Sequence, residues 1–550
     1  MHISNTDPST ENFITVNSSD KMTVLFGPNR PDLLRHEVLG QIFIRTALQY
    51  PNKVALLWQN EKITYYQLYQ QAMEMAIILY RTRHVGPGSI VGIRLSRSAQ
   101  LHVTILAVLF TGACYAPFDA DAPDERVIAV LADIEATLLL VDSQTSMNHS
   151  LAVDIETLKK HTISDHIHLS LNIDPKSIAY IICTSGSTGK PKAIAITHSN
   201  ICHFIRADNE IMKITKDDIV YQGFSAAFDG FFMETFAAYL VGATLAIPSK
   251  SDLLNTDRIH VFLIDHAVTV LSTVPTLLLL INNDPALRLR LINIGGESCP
   301  QAVVDRWWKE DRRIINQYGP SETTVAATTS LLYPGEQISI GAPLPNYVCC
   351  LLDEETGQPT TASTGELCIR GPGMALGYFR NNSLTKQKFT EYGYRTGDRV
   401  TFDQGRIYFH KRIDSQVKIR GFRIELTEIE EELLKLHGDV QSAAVAFLNG
   451  QLVAFILGQL NETTMRTELG KRLPRYMIPN RLIHVKGAIP RMASGKIDRK
   501  ALSALFVDES KKMSTHETRI DIGELIERDF VQRRPRRSLR QERIIILSLS

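Results

Sequence analysis

The residues with the clearest capacity for chemistry lie in one short loop. Residues 179–192 read AYIICTSGSTGKPK, which is an apolar run, then a loop rich in glycine, serine and threonine, then two lysines. Glycine lets backbone N–H groups approach an anion, hydroxyl groups donate further hydrogen bonds, and lysine supplies positive charge. The pattern predicts a phosphate-binding loop, but its spacing differs from the GxxxxGK[ST] of a P-loop. Without further motifs, the same loop could instead be a flexible connection.

The elements around this loop indicate an α/β protein. Short apolar runs such as 54–58, 90–95 and 178–182 alternate with helix-like segments, which is typical of largely parallel sheets with flanking helices. From about Ile338, glycine and proline become frequent and short strands predict a β-rich subdomain. After Asp414 the pattern predicts a small α+β domain.

The chain is therefore expected to contain four segments. We predict an N-terminal extension at 1–35, a large domain at 36–413, a small mobile C-terminal domain at 414–503, and a charged, disordered tail at 504–550. Residues 1–25 are polar and are expected to lack regular structure.

Composition excludes several classes of protein. The chain has 60 Lys+Arg against 59 Asp+Glu, a net charge of +1, which argues against a nucleic-acid partner. Its 7 cysteines are scattered without a CxxC pair, which indicates reduced thiols and neither a disulfide framework nor a zinc site. No signal peptide is apparent, and no apolar run approaches the ~20 residues that span a bilayer. We expect a cytoplasmic protein.

Seven further motifs accompany the loop in a fixed order along the chain. They are LFTGACYAPFD at 109–119, NQYGPSETT at 316–324, GELCIRG at 365–371, YRTGD at 394–398, RIDSQVKIRGFRIEL at 412–426, LPRYMIP at 473–479 and SGKIDR at 494–499. With the loop, they resemble the ANL superfamily of adenylate-forming enzymes, and within it the amino-acid adenylation domains of nonribosomal peptide synthetases. The resemblance covers about residues 36–503, and eight motifs in order are far more specific than one.

The resemblance implies a reaction in two halves that uses ATP and Mg²⁺. A substrate carboxylate attacks the α-phosphorus of ATP, and the phosphopantetheine thiol of a carrier protein then attacks the resulting adenylate. Tyr318 would stack on adenine, Asp398 and Arg412 would bind ribose, Glu322 would hold Mg²⁺, and Thr323 would contact the α-phosphate. These roles suit a planar ring, a two-oxygen acceptor and a hard-cation ligand.

Lys496 completes the catalytic set that the resemblance implies, with Thr323 and Glu322, by bridging the substrate carboxylate and the α-phosphate. Because Lys496 belongs to the small domain, that domain must rotate, and Asp414 occupies the hinge position. Taken singly, Asp398 could be a turn acid and Lys496 a solvated lysine. The other expected ATP- and AMP-binding residues are Thr184, Ser185, Gly186, Ser187, Thr188, Gly189, Lys190, Lys192, Gly296, Glu297, Gln317 and Gly319.

The substrate pocket is inferred from the same resemblance. Asp229 follows Phe228 as in the FD motif, whose aspartate pairs with the α-ammonium of an amino acid. A helix N-cap acid is the alternative reading. None of the lining positions is charged, so we expect a neutral amino acid, since a buried unpaired charge is costly. Besides Asp229, the expected pocket residues are Gly230, Met233, Ser272, Asn293, Gly295, Gln317, Val325 and Ala326, with Lys496 closing the set.

The partners remain open in part. No carrier-domain motif occurs in 503–550, so we expect a freestanding enzyme that loads a carrier protein in trans, with a small helper protein as a further partner. The leader at 27–37 resembles that of poly-amino-acid synthetases, and a truncated synthetase is the alternative. Competing functions are an aryl- or fatty-acid CoA ligase, a D-alanine–carrier protein ligase, and a non-catalytic remnant.

Overall fold

The structure is a computed structural model that describes residues 14–17, 22–161, 169, 171–186, 191–253, 255–436, 440–492 and 497–514. The chain divides into two compact units, Met1–Ile489 and Pro490–Ser550. Within the described residues, the strands form three large sheets and two small ones. The predicted α/β class, with mixed sheets, flanking helices and a β-rich region, is confirmed.

The first large sheet has nine strands and a parallel centre. Its inner strands, from Arg313–Tyr318 to Val54–Trp58, pair in parallel, and antiparallel strands close both edges. In hydrogen-bonded order the strands are Ala342–Pro343, Thr328–Leu331, Arg313–Tyr318, Leu291–Gly295, Val270–Thr273, Ile219–Tyr221, Thr244–Ile247, Val54–Trp58 and Glu61–Thr64.

The second large sheet has seven strands, and one of them leads into the loop that was predicted to bind phosphate. Its strands in order are Gly377–Tyr378, Lys192–Thr197, Ile178–Thr184, Cys114–Pro117, Ile90–Arg94, Leu138–Val141 and Ala152–Asp154. Both faces are buried: along Leu138–Val141, Leu138 and Leu140 join one core while Leu139 and Val141 join another. Alternation of side chains between the two faces of a strand explains this division.

The third large sheet is antiparallel and forms the β-rich region. It contains Ile14–Asn17, Met22–Phe26, Val348–Leu352, Thr364–Arg370, Gly393–Asp403, Phe389–Thr390 and Arg406–Arg412. The expectation that residues 1–25 lack regular structure is wrong for its two N-terminal strands. Met22–Phe26 reads MTVLF, and it pairs with Val348–Leu352, a partner that local polarity cannot reveal.

Helices cover the sheets and share the main core with their strands. Phe43, Tyr65 and Tyr239 from three helices pack together, with ring centroids 4.9–6.2 Å apart. The helices of the first unit are Leu39–Gln49, Tyr65–Arg83, Ala99–Phe110, Asp124–Asp133, Ile155–Lys159, His198–Met212, Gly230–Val241, Thr256–Asp265, Pro275–Leu280, Gln301–Trp307, Asn382–Lys388, Leu426–Leu434 and Glu462–Leu469. Among the described residues, no helix combines the length and apolar character needed to cross a bilayer.

Two small sheets follow the third large sheet. One is the hairpin of Gln416–Ile419 and Phe422–Glu425, and the other contains Val440–Leu448, Gln451–Gly458 and Arg481–His484. They build a separate apolar core with the helix Leu426–Leu434.

The second compact unit is described only in part. Its helix spans Arg499–Ser514, and the Asp498 carboxylate accepts from the N–H groups of Lys500 and Ala501 near the start of that helix. A tail without regular structure was expected from residue 504, but the helix continues to Ser514, and 515–550 lie outside the described residues.

Candidate active site

The site lies at the carboxyl ends of strands from two sheets. Ile178–Thr184 runs directly into Ser185 and Gly186, while Arg313–Tyr318 ends on Tyr318. In open sheets with parallel strands, this edge is where ligands bind. A cavity there is lined by residues from the loop, the FD segment and the motif predicted to bind ribose, among them Thr184, Asp229, Tyr318, Asp398 and Arg412. The structure thus brings together the central residues of the predicted site.

The hairpin Gln416–Ile419/Phe422–Glu425 and the helix after it cover the described part of the phosphate loop. The Ser185 hydroxyl donates to the Arg423 carbonyl over 2.7 Å, and the Gly186 N–H donates to Glu428 Oε2 over 2.9 Å. Lys192 Nζ lies 3.2 Å from Glu425 Oε1 in a buried ion pair. Two carboxylates therefore accept from Gly186 and Lys192, two of the donors that we predicted for phosphate. Residues 187–190 lie outside the described residues.

The residues predicted for adenine and ribose form one hydrogen-bonded group. The Tyr318 hydroxyl donates to Asp398 Oδ2, and Arg412 Nη1 donates to Asp398 Oδ1 over 3.0 Å. Lys418 from the hairpin lies over the Tyr318 ring, with Nζ 5.5 Å from its centroid. Burial lowers the pKa of Lys418. A lysine thus lies over one face of the ring on which adenine was predicted to stack.

Glu322 is the predicted magnesium ligand, and its carboxylate is fully buried. Oε1 accepts from the Tyr378 hydroxyl over 2.8 Å, and Oε2 accepts from Arg423 Nη1 over 2.7 Å. Burial alone raises the pKa of Glu322, but the Arg423 charge and the Tyr378 hydroxyl outweigh it and hold the pKa at about 2. The group is an ionised, hard oxygen ligand of the kind Mg²⁺ prefers. Arg423 and a metal ion would compete for the same oxygen.

No larger protein cage for a metal appears at this site. Among the described residues, no three His, Cys, Asp or Glu side chains gather into a group that could hold a metal ion. Mg²⁺ commonly binds through one or two carboxylates together with substrate phosphates and water, so a single carboxylate is compatible with it.

Asp229 is the candidate anchor for an α-ammonium. It precedes the helix Gly230–Val241, but its side chain does not cap that helix. Instead the Ser321 hydroxyl donates to Asp229 Oδ2. Burial is the main reason that the pKa of Asp229 is raised, and the nearby charge of Glu322 adds to it. A positively charged ligand group would therefore stabilise the ionised form.

The predicted side-chain pocket is held by neighbouring strands in register. Ser272 pairs with Asn293 across one strand pair, and Gly295 pairs with Gln317 across the next. Asn293 Nδ2 lies 3.0 Å from Gln317 Oε1 and 3.3 Å from Met233 Sδ. These pocket residues are therefore directly connected.

One pocket wall has a strained backbone. Thr324 and Val325 have φ of 61° and 68°, in the left-handed region that β-branched residues rarely adopt. The Thr324 hydroxyl donates to the Gly373 carbonyl, which helps to hold this conformation. Such strain is retained where surrounding structure imposes it, often at functional sites. Ala326 follows directly and is buried.

Comparison with known proteins agrees with this geometry. A family model described as "AMP-binding enzyme" matches residues 43–379, which is more than half of the 550 residues. The chain belongs to the AMP-binding enzyme family. The resemblance to the ANL superfamily and to nonribosomal peptide synthetase adenylation domains is thereby confirmed.

Individual relatives of this AMP-binding enzyme cover most of it. Delta-poly-L-ornithine synthetase of Acinetobacter baumannii is 42% identical over 88% of this chain and 38% of its own length. Novobiocin biosynthesis protein H of Streptomyces niveus is 33% identical over 84% of this chain and 82% of its own length. A solved structure of an artificially fused adenylation–PCP di-domain from Klebsiella oxytoca shares 25% identity and a TM-score of 0.73, covering 88% of this chain and 97% of that one. The chain thus spans under two fifths of the first relative.

Several residues of the AMP-binding enzyme's site were missed from the sequence. Arg423, Glu425 and Glu428 lie within or just after the 412–426 motif, which identified the family but did not reveal their contacts. Asp208 is buried beside Gln317 and carries no motif signal. Lys496, the predicted catalytic lysine, lies outside the described residues, so its placement stays a prediction.

Proposed function

We propose that this AMP-binding enzyme activates an α-amino acid as its aminoacyl-adenylate, with release of pyrophosphate, and then passes the aminoacyl group to the phosphopantetheine thiol of a carrier protein. The observation that carries the amino-acid part is Asp229, a partly buried carboxylate on the same cavity as Tyr318 and Asp398. An α-ammonium would satisfy it, whereas an aryl or fatty acid brings no cation. The adenylation–PCP architecture of the Klebsiella oxytoca structure supports a carrier partner.

In this proposal each residue has a positioning or charge-neutralising role. Tyr318 and Asp398 hold the nucleoside. Gly186, Ser185 and Lys192 donate to phosphate oxygens once the hairpin and helix groups that accept from them here have withdrawn. Glu322 would hold Mg²⁺, which neutralises phosphate charge when bound. In the first half-reaction the carboxylate oxygen bonds to the α-phosphorus and the bond to the β-phosphate oxygen breaks. Positioning and charge stabilisation dominate such transfers.

In the second half-reaction the thiolate sulfur bonds to the acyl carbon, and AMP leaves with the bonding electrons. Lys496 would stabilise charge in the first half-reaction, as the resemblance implies, and Asp414 would serve as the hinge between the two. Asp414 is the first residue of the expected small domain at 414–503, next to the expected large domain at 36–413, which is where a hinge between the two would lie.

The amino acid is proposed only by class. The eight uncharged lining positions support a neutral side chain, whereas the 42% identical relative is named for poly-L-ornithine. Because that relative is much longer than this chain, ornithine enters as a candidate to be measured.

The deciding experiment is amino-acid-dependent ATP–pyrophosphate exchange with Mg²⁺, using the common L-amino acids, ornithine and D-alanine. Benzoate and a medium-chain fatty acid serve as comparison acids, and Lys496→Ala is the matched inactive variant. Exchange with one or a few amino acids, lost in Lys496→Ala, is the expected result. Exchange with the comparison acids alone would contradict the proposal and favour a CoA ligase. Exchange confined to D-alanine would favour a D-alanine–carrier protein ligase.

A further inference from the structure

A buried carboxylate lies behind the predicted side-chain pocket. Asp208 belongs to the helix His198–Met212 and is 1% exposed. The Gln317 amide nitrogen donates to Asp208 Oδ1, so Asp208 touches a predicted pocket residue directly. Within the described residues, no lysine, arginine or histidine forms an ion pair with this carboxylate, and its second oxygen, Oδ2, has no hydrogen-bond partner.

The hydrogen bonds around Asp208 fix which atoms are left unpaired. When Asp208 is ionised it accepts from Gln317 Nε2, so the other end of that amide is its oxygen, which accepts from Asn293 Nδ2 over 3.0 Å. The orientation of Asn293 follows, and its Oδ1 is buried without a partner. Two unmet acceptors, Asp208 Oδ2 and Asn293 Oδ1, therefore flank the Gln317 side chain. A buried polar atom without a partner calls for an explanation, and a water, an ion or a ligand group would each complete these two.

We propose that the substrate is a diamino acid whose side-chain ammonium binds Asp208 and Asn293 at the end of the pocket. An ammonium has three N–H donors and a positive charge, so it can satisfy both acceptors and pair with the carboxylate. This proposal rests on the proposed amino-acid activation and names the substrate class for it. It replaces the expectation of a neutral side chain, which considered only the eight lining positions and not the helix behind them.

The electrostatics of the group agree with this reading. Burial raises the pKa of Asp208 to about 7, and the Gln317 hydrogen bond only partly opposes it. An ammonium at Oδ2 would stabilise the ionised carboxylate, just as an α-ammonium would stabilise Asp229. Asp229 would then bind the α-ammonium and Asp208 the side-chain ammonium of one ligand. A neutral aliphatic side chain would leave both acceptors buried without a partner, which is unfavourable.

The first part of the test uses the unaltered enzyme. ATP–pyrophosphate exchange is measured with 2,4-diaminobutyrate, ornithine and lysine, and with the neutral analogues norvaline, norleucine, glutamine and citrulline. We expect one or more diamino acids to give kcat/KM roughly 100-fold above the best neutral analogue, a ratio equivalent to about 2.7 kcal/mol. Equal or faster exchange with a neutral analogue would overturn the diamino-acid proposal while leaving amino-acid activation intact. No exchange with any amino acid would overturn both.

The second part tests Asp208 itself. Asp208→Asn keeps the shape and removes the charge, and we expect a fall of roughly 100-fold in kcat/KM for the diamino acid, carried mainly by KM. The same variant should discriminate less against glutamine and citrulline. The matched control is Glu210→Gln, which removes a carboxylate two residues away that pairs with Arg30 outside the pocket. An unchanged KM for the diamino acid in Asp208→Asn would overturn the assignment.

A third variant and a stability measurement distinguish loss of diamino-acid binding from loss of the fold. Asn293→Ala removes the second acceptor, and the thermal midpoint of each variant is measured beside its activity. A variant whose exchange with neutral analogues persists while exchange with diamino acids falls has kept its fold, and that result supports the proposal. Equal loss for both substrate classes at an unchanged thermal midpoint would contradict it.

Discussion

Replacing Arg423 by methionine tests what holds the hairpin against the site. Arg423 Nη1 lies 2.7 Å from Glu322 Oε2, and the Glu322 side chain is 0% exposed. Methionine keeps an unbranched side chain that fills space but carries no charge. After the change, Glu322 keeps the hydrogen bond from the Tyr378 hydroxyl at 2.8 Å but loses its paired cation. A buried carboxylate would then lack its counter-charge.

The magnitude follows from the pKa of Glu322. A fall from the ordinary 4.5 to about 2 corresponds to about 3 kcal/mol in favour of the ionised form. Removing one partner of a buried ion pair typically costs ~3–5 kcal/mol, which is of the same order. We therefore expect Arg423→Met to destabilise the docked hairpin, meaning the arrangement in which the hairpin lies against Glu322, by about 3 kcal/mol. Its population should fall roughly 100-fold.

The assay separates the two half-reactions. Arg423 competes with Mg²⁺ for Glu322, so Arg423→Met should lower the Mg²⁺ concentration that half-saturates ATP–pyrophosphate exchange. Transfer to a carrier thiol should fall if it uses the docked hairpin. The matched control is Arg420→Met on the same hairpin, because Arg420 is exposed. The reasoning fails if Arg423→Met leaves both quantities unchanged, or if Arg420→Met changes them equally.

The dependence of stability on pH gives an independent check. In the unaltered protein the folded pKa of Glu322 is depressed, so its contribution is fully present above about 4.5 and is lost as pH falls towards 2. In Arg423→Met burial should raise that pKa above 4.5, so the penalty of the variant is greatest near neutral pH and shrinks on acidification. Urea unfolding at pH 7 and pH 5 should show the stability difference between the two proteins narrowing. A difference that widens would refute the assignment.

Two further predictions concern the anchor and the hinge. Asp229→Asn should reduce kcat/KM for the amino acid by roughly 10–100-fold, mainly through KM, because a charge-assisted contact of about 1.5–3 kcal/mol is lost; exchange kinetics that leave KM unchanged would contradict this. The thermal midpoint of Asp229→Asn should not fall, because burial disfavours the ionised carboxylate that the change removes, as its raised pKa indicates. Asp414→Pro should spare adenylate formation and impair thiol transfer, because Asp414 joins Arg412 to the Gln416 N–H at the expected hinge. Separate assays of the two half-reactions check it, and equal loss in both would refute the hinge role.

The fold was predictable because its signals are local. The buried strand Ile178–Thr184 and its loop are adjacent in sequence, and the alternation of apolar runs with helical segments specifies parallel strands without knowledge of their order. The strand Met22–Phe26 was missed because its evidence is not local. Its five residues, MTVLF, are a short apolar run at the end of a polar leader, and its partner Val348–Leu352 lies more than 300 residues away. Strand formation there depends on a neighbour that the segment itself does not specify.

The same distinction separates the site residues that were predicted from those that were missed. Motif resemblance gave Glu322, Asp398 and Lys192 their roles, but it gave no contacts. In the structure Glu322 is paired with Arg423, 101 residues away, and Lys192 with Glu425, 233 residues away. Because each charge must be balanced when it is buried, these partners determine which ligand charges the site can accept in this arrangement.

Asp208 shows why a charge count over lining positions can mislead. The eight predicted positions are uncharged, and Coulomb attraction does not stop at the residues that line a surface, particularly in a buried region of low dielectric constant. Gln317 connects Asp208 to Asn293, so the hydrogen bond to the carboxylate sets the orientation of both amide side chains. A neutral lining layer with a carboxylate behind it can therefore select a cation, provided that the cation reaches the two oxygens that remain unpaired. The ratio of diamino-acid to neutral-analogue exchange measures that selection directly.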